Sequence, residues 1–279
     1  MTGPPSALDL LGLEYVGQDL YRSRAPYAAP WGMNSGHAAA QALYAAGLTV
    51  EKDLLPRTLN GFYPRQGDPS RPTLFRVERK RDRDSGSSCL RNVVAIQDGT
   101  VVFGINAVFA APASPGQVVP ALGLDGVMPG NEPESVKDLP SPDSLPVWPH
   151  PGDAPFELRP VDAGRRLPGR FWIRCLTELP DDPLLHAAML AYISDISTAL
   201  VASERERPVT GPWLVPRIHF HRPARAEGWI WQELTPHTTG WYWYTAAMYT
   251  ADGTRIASVE QMDQAFPPLP PSVWRKIVP

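Results

Sequence analysis

Gly36-His37-Ala38-Ala39-Ala40-Gln41-Ala42-Leu43-Tyr44 returns in the far half of the chain as Leu185-His186-Ala187-Ala188-Met189-Leu190-Ala191-Tyr192. Downstream of each copy stands a turn dipeptide followed by an apolar stretch: Gln97-Asp98-Gly99-Thr100-Val101-Val102 and Ala251-Asp252-Gly253-Thr254-Arg255-Ile256. Asp-Gly accepts the positive φ angles of a tight hairpin turn, so each half reads as one Ala-rich helix followed by strands, the last two joined by a hairpin. A unit present twice is a duplication; solenoid arrays need three or more. Duplicated units pack about a pseudo-twofold axis, so a site between them draws residues from both.

The 279 residues suffice for one large or two small domains, and the repeat selects two. The first unit is expected over 1–112 and the second over 169–279, with a Pro-rich connection over 113–168 whose clusters resist regular elements. In the first unit, Asn34 or Ser35 is placed to cap the helix and Gly47 to end it. Strands follow over Arg57–Tyr63, Pro72–Lys80, Ser87–Gln97 and Thr100–Ala110, after a first strand near Leu13–Tyr21. In the second unit Asp181 or Asp182 caps a helix that opens on Pro183 and is expected to run to Ser203. Its strands read as Gly169–Cys175, Leu214–His221, Trp229–Leu234, Trp241–Thr250 and Thr254–Phe266. This order predicts an α+β fold, two antiparallel sheets each wrapping a long helix. That is the hotdog arrangement in tandem, the sheets meeting edge to edge so that two edge strands are covered.

Composition is that of a soluble globular chain, 43% hydrophobic and 20% charged. A net charge of −3 and a pI near 6.1 give no basic face for nucleic acid. The one basic cluster, Arg76 to Arg83, alternates with acids and reads as a solvated strand edge, with an anion-binding patch as the competing reading. Cys89 and Cys175 fall in opposite halves with no metal-type spacing, and read as small buried apolar side chains. The start shows no basic segment followed by an apolar core, and Val101–Ala113 is too short to span a bilayer. A reducing, cytoplasmic location without membrane partners is expected.

Specific strings then narrow the reading. Ser35-Gly36-His37 opens the first helix, and Phe62-Tyr63-Pro64-Arg65-Gln66-Gly67-Asp68 and Val94-Ala95-Ile96-Gln97-Asp98-Gly99 follow. The second half carries Ala191-Tyr192-Ile193-Ser194-Asp195, Phe220-His221-Arg222-Pro223 with Trp229 soon after, and Ala257-Ser258-Val259-Glu260-Gln261. Together these resemble the acyl-CoA thioesterase II family, the double-hotdog enzymes that cleave fatty acyl-CoA. The resemblance spans nearly the whole chain outside the Pro-rich connection and the extreme N-terminus.

The resemblance implies a hydrolytic water held by an Asp, a Ser or Thr, and a Gln of the second unit. Gln261 matches the Gln; an amide both accepts from water and donates to a developing oxyanion. A polar residue on the outer strand face is the competing reading. The hydroxyl falls on Thr238 or Thr239, either of which also suits a turn. The Asp falls on Val215, six residues before His221, and no carboxylate occurs from Pro208 to His221. Valine cannot act as a base. Substitutes are His219 with His221 on one strand face, Glu233 with His237, and Asp263, two residues beyond Gln261. Each of these also reads as a solvated or hydrogen-bonded side chain. Asp195 is typical of the family and is not counted as a replacement. Gly36 and His37, the latter standing where the family has Gln, begin a helix whose N–H groups form an oxyanion site. A solvent-facing helix start competes with that reading.

Trp213, Trp229, Trp231, Trp241, Tyr242, Trp243 and Tyr244 load the second half with aromatics. They read as sheet packing and a homodimer interface, with an acyl channel as the sharper alternative. The expected activity is hydrolysis of an acyl-CoA or acyl-carrier thioester, a step of lipid metabolism, by direct water attack. No metal and no cofactor beyond the substrate's own CoA moiety is implied. The alternative is a double-hotdog protein that binds acyl groups or CoA without hydrolysis, or one repurposed for other chemistry.

Overall fold

The computed structural model describes residues 6–24, 35–65, 67–83, 87–112, 136–148, 155–161, 169–195, 215–238 and 242–263. In chain order they form α1 (Ala7–Leu11), β1 (Leu13–Gly17), β2 (Leu20–Ser23), α2 (Ser35–Gly47), β3 (Leu55–Phe62), β4 (Leu74–Arg81), β5 (Ser88–Gln97) and β6 (Thr100–Ala110). The second half supplies β7 (Phe156–Pro160), β8 (Arg170–Cys175), α3 (Pro183–Ser194), β9 (Val215–Phe220), β10 (Ile230–Thr238), β11 (Tyr242–Thr250) and β12 (Arg255–Asp263).

These strands make a 12-stranded sheet in the order β1-β2-β4-β5-β6-β3-β9-β12-β11-β10-β8-β7. All of its neighbouring pairs are antiparallel. Strands of the first half are contiguous, as are those of the second. The halves meet where Thr58 pairs with His219, Leu59 with Ile218 and Asn60 with Arg217. Strict alternation along β5 buries Cys89, Arg91, Val93, Ala95 and Gln97 on the helix-bearing face. α2 lies over β3 to β6, and α3 lies beside α2 and against β3 and β9.

The helices can sit this close because they are made of small residues. They run antiparallel: the start of α2 meets the end of α3, where a Cβ on Gly36 would lie 2.7 Å from the Tyr192 carbonyl oxygen. At the other end a Cβ on Gly47 would overlap the Leu184 side chain. Ala38, Ala39, Ala40, Ala42, Ala188 and Ala191 are buried along the pair.

Five local features differ from the sequence expectation, the first being that α3 ends at Ser194, capped by Asp195, short of the expected Ser203. The expected single strand near Leu13–Tyr21 is a hairpin, turned by Gln18 and Asp19 at φ 51° and 56°. Ala7–Leu11 forms a short helix closed by a Ser6–Asp9 capping box. Phe156–Pro160 is an edge strand inside the stretch read as irregular; Pro160, its last residue, is tolerated there because an edge leaves one backbone side unpaired. The two Asp-Gly turns also differ. Asp98 and Gly99 both take positive φ, 48° and 75°, whereas in the second only Gly253 does, at 91°. That turn closes a longer loop from Thr250 to Thr254.

The basic cluster is strand β4 and its exit, and most of its charges are paired: Arg79 on Asp19, Arg83 on Glu51 and Asp53, Lys80 and Arg76 on Glu78, while Arg81 donates to the Ser88 hydroxyl. Both cysteines are buried free thiols. No helix among the described residues is long and apolar enough to cross a membrane.

Candidate active site

Asp195 ends α3, and its backbone turns back on the Tyr192 and Ile193 carbonyls. The antiparallel helix pair puts this carboxylate at the start of α2, where the Ser35 hydroxyl donates to Oδ2. β12 passes the same point, and the Gln261 amide nitrogen donates to Oδ1. Asp195 is 3% exposed and Gln261 1%. Three elements distant in sequence thus converge on one buried carboxylate.

The electrostatics are mixed by design of the fold. Burial and the negative end of α3 disfavour charge on Asp195; the positive end of α2 and two hydrogen-bond donors favour it. The pairing also fixes the amide. A carboxylate only accepts, so Gln261 must present its nitrogen to Asp195 and turn Oε1 away. That oxygen is buried and has no hydrogen-bond partner among the described residues. A water there would donate one proton to Oε1. The carboxylate neighbouring Gln261 is therefore one that the strand spacing did not single out.

The other expected residues lie elsewhere or outside the description. His219 pairs with Ser258 across the strands, whereas Gln261 belongs to the alternate set with Ala257 and Val259. Its imidazole is on the opposite sheet face and cannot reach Gln261; the period-two alternation that aligned it with His221 is the reason. His221 bonds the Ser258 hydroxyl at 2.6 Å on that same outer face. Glu233 is likewise on the outer face, between Ala247 and Arg170 in register. Thr238, Tyr242 and Asp263 form one backbone row across β10, β11 and β12, two residues along the strands from the row of Tyr244 and Gln261. The side chains of Thr238 and Asp263 are outside the described residues, as are that of Val215 and the whole of Thr239.

The His37 side chain is an anchor for the start of α2. Its ring is fully enclosed; Nε2 donates to the Leu10 carbonyl at 2.6 Å, beside Gln41 Nε2 on the same oxygen at 2.7 Å. It stacks on Tyr192, centroids 5.4 Å apart and planes 8° off parallel. Burial holds it neutral, its pKa lowered from 6.5 to about 4. Burial and the Asp195 charge push the Tyr192 hydroxyl upward. Gly36 serves close approach, its Cα pressed against the end of α3.

A shallow surface cleft opens elsewhere, between Leu55 and Arg57 of β3, Ala187 and Leu190 of α3, and Phe220 and Arg222. Among the described residues its lining has no acid or imidazole, so the convergent polar group, not the cleft, is the candidate for chemistry. Of the aromatics, Trp231 packs edge-on to Trp172 at 5.3 Å, under Val136, Leu139 and Leu145. Trp229 is flanked by the guanidinium groups of Arg174 and Arg159. These contacts are within the chain. Trp213, Trp241 and the side chains of Tyr242 and Trp243 lie outside the described residues.

Residues 126–262 match the acyl-CoA thioesterase C-terminal domain. The human acyl-coenzyme A thioesterase 8 is 30% identical over 252 residues, 80% of this chain and 76% of that protein. The chain belongs to the acyl-CoA thioesterase II family. Among solved structures, the acyl-CoA thioesterase II TesB2 of Mycobacterium marinum superposes with a TM-score of 0.70 at 28% identity, covering 94% of this chain and 99% of that one. A protein with a hot dog fold from Alicyclobacillus acidocaldarius does so with a TM-score of 0.70 at 20% identity, covering 94% and 98%. The thioesterase family's hotdog-type fold, mostly antiparallel sheet with few helices, is therefore the fold of this chain.

Proposed function

We propose that this protein hydrolyses acyl-CoA-type thioesters by direct attack of water, with Asp195 as general base and Gln261 holding the water. The carrying observation is the buried Asp195–Gln261 hydrogen bond, which leaves Gln261 Oε1 turned away as an acceptor without a partner among the described residues. Water bonded to Oε1 gives its second proton to Asp195 as its oxygen attacks the thioester carbonyl carbon. The tetrahedral intermediate collapses by breaking the carbon–sulfur bond, and Asp195 returns the proton to the departing thiolate. The products are a carboxylic acid and the CoA thiol. Backbone N–H groups at the start of α2 are the nearest helix-terminal donors for the oxyanion. The named activity of the human relative supports the substrate class.

In this reading the sheet is two hotdog units joined through β3 and β9, with the site at one end of the helix pair. Val215 then marks no loss of the base, since Asp195 supplies it from α3. The test is thiol release from short, long and aromatic acyl-CoAs by the wild type and by Gln261→Ala. Turnover that collapses in the variant supports hydrolysis. Saturable acyl-CoA binding without any turnover would instead establish the non-hydrolytic alternative.

A further inference from the structure

Family resemblance places the hydroxyl partner of the carboxylate in the second unit, on Thr238 or Thr239. The described hydroxyl that bonds Asp195 comes from the first unit instead: it is Ser35, the first residue of α2. Ser35 stands where the resemblance has the first Gly of Gly-Gly-Gln, so this hydroxyl is a property of this chain. Gly36 next to it has no side chain, and a Cβ there would lie 3.0 Å from Asp195 Cβ, so α2 cannot slide along α3 without losing the contact. The ring of His37 pins the same turn to Leu10 and Tyr192. Three consecutive residues therefore fix the start of α2 against one carboxylate.

Resting on the reading of Asp195 as the base, we infer that Ser35 is a positioning residue for it, making the site a composite of both halves. The carboxylate has two oxygens, and each accepts from a different half of the molecule: Oδ1 from Gln261, Oδ2 from Ser35. The hydroxyl stabilises the charged form of a buried acid and holds the rotamer that keeps Oδ1 on Gln261. Removing it has two linked consequences. The base becomes harder to ionise, and the amide loses the partner that orients it.

Four variants test this in one thiol-release assay across pH: Ser35→Ala, Ser35→Gly, Ser35→Thr and Asp195→Asn. The expected result is a fall of about tenfold in kcat/KM for the Ala and Gly variants, with the acid limb of the profile moved up by about one pH unit. The Thr variant, which keeps the hydroxyl, restores both. A helix-start residue of merely structural importance would lower the yield of folded protein without moving the limb. Wild-type rate and profile in Ser35→Ala, beside an inactive Asp195→Asn, would overturn the inference and leave the hydrolytic reading standing. So would a rate loss with an unmoved limb, or an acyl group found covalently on Ser35, which would make the serine a nucleophile. Full activity in Asp195→Asn would remove the base itself and the inference with it.

Discussion

The two ends of the α2–α3 pair are built from equivalent positions and have opposite character. Aligning His37 with His186 sets Ser35 against Leu184 and Asp195 against Ala46. Aligning Asp98-Gly99 with Asp252-Gly253 sets Gln261 against Ala107. At one end stand a hydroxyl, a carboxylate and an amide; at the other stand Leu184, Ala46 and Ala107, with the Leu184 side chain filling the space beside Gly47. Ala46 and Ala107 have no measurable exposure. A duplicated fold thus keeps the carboxylate and amide at one junction only; the equivalent positions at the other are apolar, and the buried Arg91 beside them is taken up by Thr49 and Asp82. The difference teaches that the symmetric scaffold sets where a site can be, while three side chains decide which end has one.

The largest effect should come from removing the charge that distinguishes the ends. Asp195→Asn keeps the shape and should lower kcat/KM about a thousandfold, read by thiol release with circular dichroism as the folding control. Gln261→Ala should cost about a hundredfold in kcat with a smaller change in KM, since the amide acts on the water rather than on the acyl group.

Stability should also separate the ends. Gly36→Ala drives a methyl group into the Tyr192 carbonyl, a backbone atom, and should cost about 1–3 kcal/mol in urea unfolding. Gly47→Ala meets the Leu184 side chain, both methyls and Cγ, rather than backbone; that side chain can rotate away, so the cost should be less. Equal costs would mean that the junctions are equally tight.

His37 gives the comparison a pH signature. Held neutral, with a pKa of about 4 against 6.5 when unperturbed, it refuses a proton that the unfolded chain accepts. Its contribution is complete above the unfolded value and is lost as pH falls from about 6.5 toward 4, up to about 3 kcal/mol. His37→Gln should flatten stability over that window, measured by urea midpoints at several pH values. The smallest effect belongs to His219→Ala. That side chain is on the far face of the sheet, and thiol release should stay within about twofold of wild type.

Much of this architecture was legible because it depends on local pattern. Strands β3 to β6 follow from alternation and bounding turns, and the hairpin at Asp98-Gly99 from its dipeptide. The β1–β2 hairpin was hidden because Gln18 gives no signal of positive φ. β7 was hidden by its prolines, which only an edge position excuses. Gln261 could be found by its string, but its partner could not. Asp195 meets Gln261 through the antiparallel seating of two helices, and no spacing along the chain encodes that. The sequence reading carries this helix to Ser203 and so leaves Asp195 in its middle; the structure ends α3 at Ser194 and makes Asp195 its C-cap, where an acid opposes the helix dipole.

The most direct test of the account is a crystal structure with a non-hydrolysable acyl-CoA thioether. The account predicts the ligand's carbonyl-equivalent carbon beside Asp195 and Gln261, at the start of α2, with no ligand at the Leu184 end. A ligand centred instead on the cleft between Arg57 and Arg222, or at the junction of Leu184 and Gly47, would contradict it.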